Sequence, residues 1–496
     1  MCECQPSGIS IRKYSRNSYV YWIWLLAGVL SHGQVLAGSP ARTVDLKPGE
    51  DVATVVSNTP AGTTFLFSPG TYRMQSIVPK DNDIFRGEGA AILDGSKLLE
   101  MQPDGKWWSA IEPRAKSSPA GRCAKDHPRC WMLNDLFIDN QIQVPVDSLA
   151  EIAPGRWFYD DMSGRVYIST NPIGHHVEFA VTSTAFSGLA TGVEISHLVV
   201  EKYASPPQIG AIGGSLSPVD QAERSSGKMQ GWSVLNTEVR WNHGAGIELG
   251  SNARIESCNV HHNGQLGIGA HGASILVLKN EIAYNNYAGY TEAWEAGGTK
   301  FALTDNLVVR SNYVHDNIGN GLWTDIDNIH TLYEGNTITN NKDEGIRHEI
   351  SYDAIIRNNI LRGNPSGIVI SLSPNVEVYD NLVEVPTEGI DGIVIANGQR
   401  GVGAYGPHIA HDDHVRGNVI VYLGPGGRSG LSGDLATATG MIFDRNEYHI
   451  PSGGESHWKW NGPKSISDMQ RMGLELHGTV SKTLPSKSDP MRKPTP

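Results

Sequence analysis

The sequence lacks a long apolar run, a basic cluster and any extended helical periodicity. Its most apolar run, residues 19–30, has about a dozen residues, whereas a membrane-spanning helix needs about twenty. Helical repeats would need longer segments with a 3.6-residue period, and leucine-rich repeats would show a regular leucine lattice. Neither pattern is present, so both classes of repeat protein are excluded.

Acidic residues outnumber basic ones, with 52 Asp and Glu against 40 Lys and Arg and a net charge of −12. This balance, without a basic cluster to oppose it, disfavours nucleic acid and anionic membrane as partners. A charged content of 19% and a hydrophobic content of 39% are those of a folded protein. Glycine is abundant, at 56 residues, and asparagine is frequent, which is typical of turns rather than helices.

The first 37 residues resemble a secretory signal, with a basic start, the short apolar run and small residues before Ala37. An uncleaved anchor is the rival interpretation, but the apolar run is short for it. We therefore expect a secreted protein, periplasmic or extracellular, with no membrane association after cleavage.

Cys123 and Cys130 close a short polar loop, and in an oxidising compartment they would form a disulfide. A zinc site with His127 is the alternative, although two cysteines and one histidine are an incomplete ligand set. Cys258 lies within the repeat described below and is expected to be a small core residue.

Changes in pattern divide the chain into six segments. A short helix over 47–57 followed by strands suits the end plug of a coil, and the repeat is absent from a tryptophan-rich stretch of alternating strands. The segments are 1–37, signal peptide; 38–95, N-terminal cap and first coils; 96–181, an inserted β-sandwich-like module; 182–447, repeat coils; 448–480, a C-terminal cap with Trp458, Trp460 and a helix over 467–473; and 481–496, a disordered tail.

The repeat is marked by asparagines that open successive units of about 23 residues. Each unit carries short apolar strands, which predicts an all-β fold, a right-handed parallel β-helix with a small inserted antiparallel module. Stacked asparagines would satisfy each other's amides from coil to coil. Longer intervals indicate inserted loops around 291–303 and 397–413. The opening asparagines are 236, 259, 280, 312, 336, 359, 381 and 418.

Two successive units, Asn312 to Asn358, align on the pairs Gly321-Leu322 and Gly345-Ile346. This alignment puts Trp323 opposite Arg347 and Asp325 opposite Glu349. The residue directly after the glycine is apolar in nearly every unit and should face the core, so the second and fourth positions face outward.

The outward positions predict two columns of side chains on one face, with His348 pointing inward between them. Residues of the 291–303 loop, Glu292, Trp294, Glu295 and Lys300, could lie over these columns. The fourth-position column is Gly250, His271, Ala293, Asp325, Glu349 and Ser371, and the second-position column is Glu248, Gly269, Thr291, Trp323, Arg347 and Val369.

Neighbouring coils are about 4.8 Å apart, which would bring the carboxyl groups of Asp325 and Glu349 to the separation of about 5–5.5 Å used by retaining glycosidases. Asp325 would be the nucleophile, kept ionised by Arg347 and Lys300. Repulsion between the carboxylates would raise the pKa of Glu349, the acid/base. The remaining candidates for binding a sugar are Trp323, Trp294, Glu295 and His271, with the two tryptophans offering flat faces.

The coil pattern over 45–95 and 184–448 resembles the pectate-lyase-type right-handed β-helix superfamily. More narrowly, the chain resembles the β-helical β-xylosidases (glycoside hydrolase family 120), which also combine a β-helix with a β-sandwich. That resemblance implies an Asp nucleophile and a Glu acid/base on neighbouring coils, here Asp325 and Glu349, and an acidic loop residue, here Glu295. It implies an oligo- or polysaccharide substrate, with xylosides suggested by the resemblance alone, and neither metal nor cofactor.

Two other functions stay open. A polysaccharide lyase or uronate epimerase would use Lys300, Arg347 or His271 as base, and Asp325, Asp327 and Glu349 could then be Ca²⁺ ligands. A non-catalytic glycan-binding protein would need no carboxylate pair. In that case Asp325 and Glu349 would be ordinary solvated carboxylates, which are common on an exposed coil face. Asp327 and Asp353 lie at turns, where aspartate often bonds its own backbone.

Overall fold

The computed structural model describes residues 42–114, 122–214, 229–451 and 456–485. The predicted signal peptide lies outside these ranges, as does the part of the predicted tail beyond residue 485. The predicted start of the tail was wrong, because Ser481 ends the strand Thr479–Ser481. Within the described ranges, no helix is long and apolar enough to cross a bilayer.

The chain forms a parallel β-helix whose coils contribute strands to three faces, as the repeat predicted. We call the face that carries the candidate residues the site sheet, and its neighbours pair in parallel from coil to coil. Its strands are Phe186–Ser187, Gly210–Gly214, Ala245–Leu249, Leu266–Leu278, Gly297–Arg310, Leu322–Asp325, Glu344–Glu349, Ser366–Ser371, Asp391–Asn397, Arg428–Gly433 and Trp458–Trp460.

The other two faces are also parallel, and the long strands Leu266–Leu278 and Gly297–Arg310 run continuously from the site sheet into the second face. The second face further contains Thr43–Leu46, Thr64–Phe67, Ile84–Gly87, Glu194–Ser196, Ser233–Leu235, Arg254–Glu256, Thr331–Glu334, Ala354–Arg357, Val376–Tyr379, His414–Arg416 and Ile442–Asp444. The third contains Gly70–Arg73, Ala91–Asp94, Val199–Glu201, Glu238–Arg240, Asn259–His261, Glu281–Ala283, Tyr313–His315, Thr337–Thr339, Ile360–Arg362, Leu382–Val385, Val419–Tyr422, Glu447–His449 and Thr479–Ser481.

The core is the apolar interior of the coil. The residues predicted to face inward after the unit glycines are all fully buried, which confirms the alternation. Each such side chain contributes about 1.5–3 kcal/mol by leaving water. These residues are Ile247, Ile268, Leu322, Ile346, Ile368 and Ile393.

Asparagines form two buried ladders that tie the coils together, since each side-chain amide donates to the next asparagine's carbonyl oxygen at 2.8–3.0 Å. One ladder is Asn280, Asn312, Asn336, Asn359, Asn381, Asn418 and Asn446. The other is Asn242, Asn263, Asn285, Asn317, Asn341 and Asn364.

The predicted start of the first ladder was wrong by one residue. Asn236 has a left-handed backbone and Asn259 is exposed, while the adjacent Thr237 and Cys258 are buried. The backbone N–H of Cys258 donates to Asn280 at 2.9 Å, so Cys258 takes the asparagine's place in the stack. The prediction that Cys258 is a small buried residue is confirmed.

The inserted module is a separate eight-stranded sheet with its own core around Trp157 and Phe179. Its pairings are antiparallel except for Gln141–Val146 with Arg156–Asp160. A one-turn 3₁₀ helix lies at Leu149–Glu151. The strands are Ser96–Leu98, Gln102–Asp104, Trp107–Ile111, Leu136–Ile138, Gln141–Val146, Arg156–Asp160, Arg165–Ile168 and Val177–Ala180.

Both ends of the coil are covered. The N-terminal helix is Val52–Asn58, shorter than predicted, and its acid acts as the N-cap, since Asp51 accepts from the Thr54 N–H at 3.1 Å. At the other end, the helix Ile466–Arg471 follows a short strand, Pro463–Lys464. The Glu475 carboxylate terminates the first ladder by accepting from the Asn446 amide at 2.7 Å.

Candidate active site

The predicted pairing of the two central coils is confirmed. Strand Leu322–Asp325 pairs in parallel with Glu344–Glu349, so that Trp323 lies opposite Arg347 and Asp325 lies opposite Glu349. Because neighbouring strands are about 4.8 Å apart, the two acidic residues occupy equivalent outward positions one strand spacing from each other.

His348 points inward, as the alternation predicted. It is fully buried, its Nδ1 lies 2.7 Å from the Thr324 hydroxyl oxygen, and burial lowers its pKa to about 3. A neutral imidazole inside the coil is a packing residue, and it cannot reach the outer face.

The predicted alignment of the neighbouring coil was wrong. Thr291 and Ala293 were expected in the two columns, but the structure pairs Gly269 with Lys300 and His271 with Ala302. The insertion precedes the strand: it ends with the short helix Glu292–Glu295, and the strand then starts at Gly297. The alternation in Gly298-Thr-Lys-Phe-Ala was the sequence signal that would have placed Lys300 in the column.

Lys300 lies at the centre of the site. Its ammonium nitrogen is 2.9 Å from Oδ2 of Asp325, 3.9 Å from Oε2 of Glu295 and 4.2 Å from the ring centroid of Trp323. It also donates to the Trp294 carbonyl oxygen at 3.2 Å. The buried Lys300 side chain therefore connects the Asp325 carboxylate on the coil with the loop that contains Trp294.

Asp325 is almost buried, with 7% of its surface exposed. Lys300 occupies one of its oxygens, whereas Oδ1 has no hydrogen-bond partner among the residues that the structure describes. Buried polar atoms nearly always have a partner, so an unmatched carboxylate oxygen at this position is unusual.

Glu349 is held by two arginines. Oε2 accepts from Arg347 Nε at 2.8 Å, and Oε1 accepts from Arg400 at 2.9 Å. Burial by itself raises the pKa of Glu349. This effect is outweighed by the hydrogen bond and charge of Arg347 and by the charges of Arg400 and Lys300, so the pKa lies below its ordinary value. The expectation of a raised pKa was wrong, because these cations dominate any repulsion from Asp325.

Glu344 and Arg400 are site residues that the sequence analysis missed. Glu344 Oε1 accepts from Arg347 at 2.8 Å, and burial raises the pKa of Glu344 to about 7, with Asp343 adding to the effect and Arg347 opposing it. The signal for Glu344 was an acid directly before a unit glycine, three residues from an arginine in the same strand. Arg400 carried no signal beyond its place in the predicted 397–413 insertion.

The short helix Glu292–Glu295 puts Glu295 over the site, as predicted. Burial raises the pKa of Glu295 above its ordinary value, although the charge of Lys300 opposes this. Its carboxylate also accepts from Gln208. Glu295, unlike Glu349, is therefore a carboxyl group that favours keeping its proton.

The two tryptophans are not open platforms. Trp323 is 3% exposed, and the cations of Lys300 and Arg347 lie within 5.8 Å of its ring centroid. Trp294 is part of a small cluster with Tyr290 and Cys130. The sequence proposed both rings as faces for a sugar, but the structure shows Trp323 orienting cations and Trp294 packing in the loop.

His271 and the second insertion border the site. His271 is in the fourth-position column, and its Nδ1 lies 3.7 Å from Glu248 Oε1. On the other side, the loop after Asn397 forms a hairpin, Val402–Gly403 with Gly406–Pro407. This loop carries Arg400 and is anchored by His408, whose Nε2 lies 2.8 Å from Asp327 Oδ1.

The structure also shows the predicted turn aspartates and the predicted disulfide. Asp327 and Asp353 both have left-handed backbones, as expected at turns, but their carboxylates contact the side chains of His408 and Asn375 at 2.8 and 2.9 Å instead of the expected local backbone. Cys123 and Cys130 are disulfide-bonded, which rules out the zinc alternative. Across the described ranges, no group of three or more His, Cys, Asp or Glu side chains is arranged to hold a metal ion.

Comparisons with known proteins agree with the fold. Residues 223–383 match the family model of the right-handed β-helix region, which confirms the predicted hand of the coil and the resemblance to that superfamily. A comparison with curated protein sequences finds no match.

Among solved structures, the complex of XylC with xylose has a TM-score of 0.65 at 16% identity, covering 88% of this chain and 83% of that chain. The A-module of the Azotobacter vinelandii mannuronan C-5 epimerase AlgE6 has a TM-score of 0.48 at 14% identity, covering 88% and 93%. A mannuronic acid specific polysaccharide family 6 lyase from human gut microbiota has a TM-score of 0.48 at 10% identity, covering 90% and 89%. At these identities the likeness to XylC establishes the fold alone.

Proposed function

We propose that this protein is a secreted carbohydrate-active enzyme and, more narrowly, a retaining glycoside hydrolase. The observation that carries the proposal is the direct opposition of Asp325 and Glu349 on adjacent coils. One strand spacing, about 4.8 Å, is close to the carboxyl separation of about 5–5.5 Å that a double displacement needs. The XylC–xylose complex, with the same fold, supports a carbohydrate substrate and makes xylosides the first to assay.

Asp325 is the proposed nucleophile. Lys300 pairs with Oδ2, while Oδ1 is buried and has no partner within the described part of the chain, so its lone pairs are not engaged in a hydrogen bond. A carboxylate held in this way forms the covalent glycosyl intermediate that water later hydrolyses.

Two carboxyl groups can supply the proton to the leaving group. Glu349 has the required position opposite Asp325, and a substrate that displaces Arg400, whose side chain is 57% exposed, would raise the pKa of Glu349, while Arg347 would still lower it. Glu295 has the more favourable pKa for a proton donor, because burial raises that pKa above its ordinary value, and it shares the Lys300 ammonium with Asp325. Glu349 remains our first assignment, with Glu295 as its competitor.

The contacts of Lys300 favour hydrolysis over the lyase alternative. A lyase base must be free to approach the proton next to a uronate carboxyl group. The Lys300 nitrogen, however, pairs with Asp325 at 2.9 Å and lies over the Trp323 ring, so it is already engaged in holding the carboxylate. Secretion is supported by the disulfide between Cys123 and Cys130, a bond typical of oxidising compartments.

The test is hydrolysis of a panel of aryl glycosides, xylosides first, by the wild type and by Asp325→Asn. NMR of the first-formed sugar should show retained anomeric configuration, and azide should rescue a variant with Asp325→Ala by forming a glycosyl azide. Unsaturated products from uronate polymers would instead establish the lyase. Glycan binding that Asp325→Asn leaves unchanged, without turnover, would establish the non-catalytic alternative.

A further inference from the structure

Three parts of the chain meet in a buried hydrogen-bond network beside the site. His243, from a coil, places Nδ1 2.9 Å from the Asp135 carboxylate of the inserted module. Its Nε2 lies 2.8 Å from the Cys130 carbonyl oxygen and 3.0 Å from the hydroxyl of Tyr290, in the loop of the candidate site. Tyr287, from the same loop, donates to Asp135 at 2.6 Å. Coil, module and loop are thus fixed to one another at a single point.

The disulfide-closed segment of the module also pairs with this loop through the backbone. Cys123 forms an antiparallel bridge with Tyr290, and the N–H of Thr291 donates to the Arg122 carbonyl oxygen at 2.7 Å. Because Cys123 is bonded to Cys130, the segment that pairs with the loop is tied to the residue that His243 contacts.

The loop leads directly from these contacts to the site. Thr291 precedes the helix Glu292–Glu295, and the Glu295 carbonyl oxygen accepts from Gln265 at 2.7 Å. The Trp294 carbonyl oxygen accepts from Lys300, the cation that holds Asp325. A displacement of the loop would therefore change both the position of the Glu295 carboxyl group and the environment of Lys300.

A helix of one turn cannot maintain this geometry by itself. Isolated helices this short are unstable, because the residues of the first turn are ordered for very few hydrogen bonds. The loop needs anchors outside itself, and the contacts to Arg122, Cys130 and His243 are such anchors.

We propose that the inserted module is a clamp that positions the loop 287–296, acting through the Cys123–Cys130 disulfide and the network of His243, Asp135 and Tyr290. These are positioning residues, since they act through Glu295 and Lys300. The inference rests on the proposed function for its effect on catalysis, whereas its structural part, the fixing of the loop, stands independently. It gives the module a mechanical role and makes activity sensitive to a disulfide reductant.

The experiment compares two matched hydroxyl deletions and one reduction. Tyr290→Phe removes the hydroxyl that contacts His243, and Tyr159→Phe removes a hydroxyl that donates to the Glu112 carbonyl oxygen inside the module at 3.0 Å. Reduction by a phosphine is applied to the wild type and to the double variant Cys123→Ser/Cys130→Ser. Loop order is followed by Trp294 emission, taken as the difference between each protein and the same protein carrying Trp294→Phe.

Tyr290→Phe and reduction of the wild type should shift the Trp294 emission to the red and increase its quenching by acrylamide. They should lower kcat more than they raise KM, with kcat/KM falling about 10- to 100-fold, the scale of an ångström misplacement. Tyr159→Phe should leave both readouts at the wild-type level, and reduction should have no further effect on the double variant.

Unchanged Trp294 emission after both Tyr290→Phe and reduction would overturn the clamp, as would an equal shift in Tyr159→Phe. The reduction arm needs no variant to fold. If the wild type cleaves no glycoside, the proposed function fails while the Trp294 emission still decides the clamp: a shift upholds it, and a constant emission rejects it.

Discussion

The Lys300 ammonium nitrogen lies 2.9 Å from Oδ2 of Asp325, and both side chains are about nine-tenths buried. Lys300 comes from the coil directly before that of Asp325, through the strand Gly297–Arg310. A buried lysine next to a buried aspartate is costly to desolvate, and each charge depends on the other. We therefore expect substitutions in this pair to change both turnover and stability.

Asp325→Asn should abolish turnover while leaving the fold intact. The amide matches the carboxylate in shape but is not a nucleophile, so kcat should fall by about 10³-fold or more, as for removal of other essential catalytic side chains. Steady-state kinetics on an aryl glycoside and circular dichroism measure both effects. Asp353→Asn, at a turn, is the control and should keep wild-type kinetics; a similar loss in that variant would contradict the assignment.

Lys300→Met should destabilise the protein, because it leaves Asp325 as an unpaired buried charge. We expect a loss of about 3–5 kcal/mol in the free energy of unfolding, measured by urea denaturation. Adding Asp325→Asn should recover much of this loss. Lys279→Met removes a lysine that is 67% exposed, and it should change stability by less than about 1 kcal/mol. A Lys300→Met protein as stable as the wild type would mean that the buried pair does not form.

Glu344 should make the protein less stable as the pH rises. Its folded-state pKa is raised by burial to about 7 from 4.5, so the stabilising protonated form is complete below pH 4.5 and is lost as the pH rises through 7. Glu344→Gln, which stays neutral, should flatten this decline and be more stable than the wild type above pH 7. Urea midpoints between pH 4 and 8 test this, and parallel curves for the two proteins would refute it.

The position of the basic limb in the pH profile should identify the proton donor. The pKa of Glu349 lies below its ordinary 4.5, so a free enzyme that uses Glu349 as acid should lose kcat/KM as the pH rises through a value below 4.5. Replacing Arg400 with Met removes one cation, which should raise the pKa of Glu349 and move that limb to higher pH. Arg416→Met, whose arginine pairs with Glu377 elsewhere, is the control.

If Glu295 is the donor instead, the basic limb should lie above pH 4.5, since its pKa is raised. Arg400→Met should then leave the limb in place, and Glu295→Gln should lower kcat by about 10²–10⁴-fold, most strongly for poor leaving groups. Comparing Glu295→Gln with Glu349→Gln on activated and unactivated substrates gives an independent assignment.

Asn336→Ala should show how much the asparagine ladder contributes to the stability of the coil. The Asn336 amide donates to the Val309 carbonyl oxygen and to Asn359, each at 2.9 Å, while its carbonyl oxygen accepts from Asn312. The truncation leaves several buried groups unpaired, at about 1–3 kcal/mol for each. We expect a large drop in the urea midpoint, whereas Asn259→Ala, at an exposed strand position outside the ladder, should have a much smaller effect.

The sequence was sufficient for the coil and for the pairing of its two central units. A period near 23 residues, an apolar residue after each glycine and side chains that alternate in and out leave one alignment of Asp325 with Glu349. A shift by one residue would have put Ile346 outside and Arg347 inside the core. The burial of His348 follows from the same alternation.

Alignment failed where a unit contained an insertion. Gly289 and Gly298 both offered a start for the strand of the Lys300 coil, and the repeat length does not say on which side of the strand the extra residues lie. The structure places the extra residues before the strand, because the loop 287–296 packs against the module. This contact joins segments more than 150 residues apart in sequence. The same limit hid Arg400, whose position depends on how its loop is anchored on Asp327 and Tyr352.

The sequence by itself determined the β-helix, its inward and outward positions, and the opposition of two carboxylates, since these follow from short-range alternation and from a hydrogen-bonded repeat. Only the tertiary structure decided the charges of the site. The protonation of Glu349, Glu295 and Glu344 depends on burial and on cations brought in by separate loops, and these interactions act through space at distances that no local pattern records.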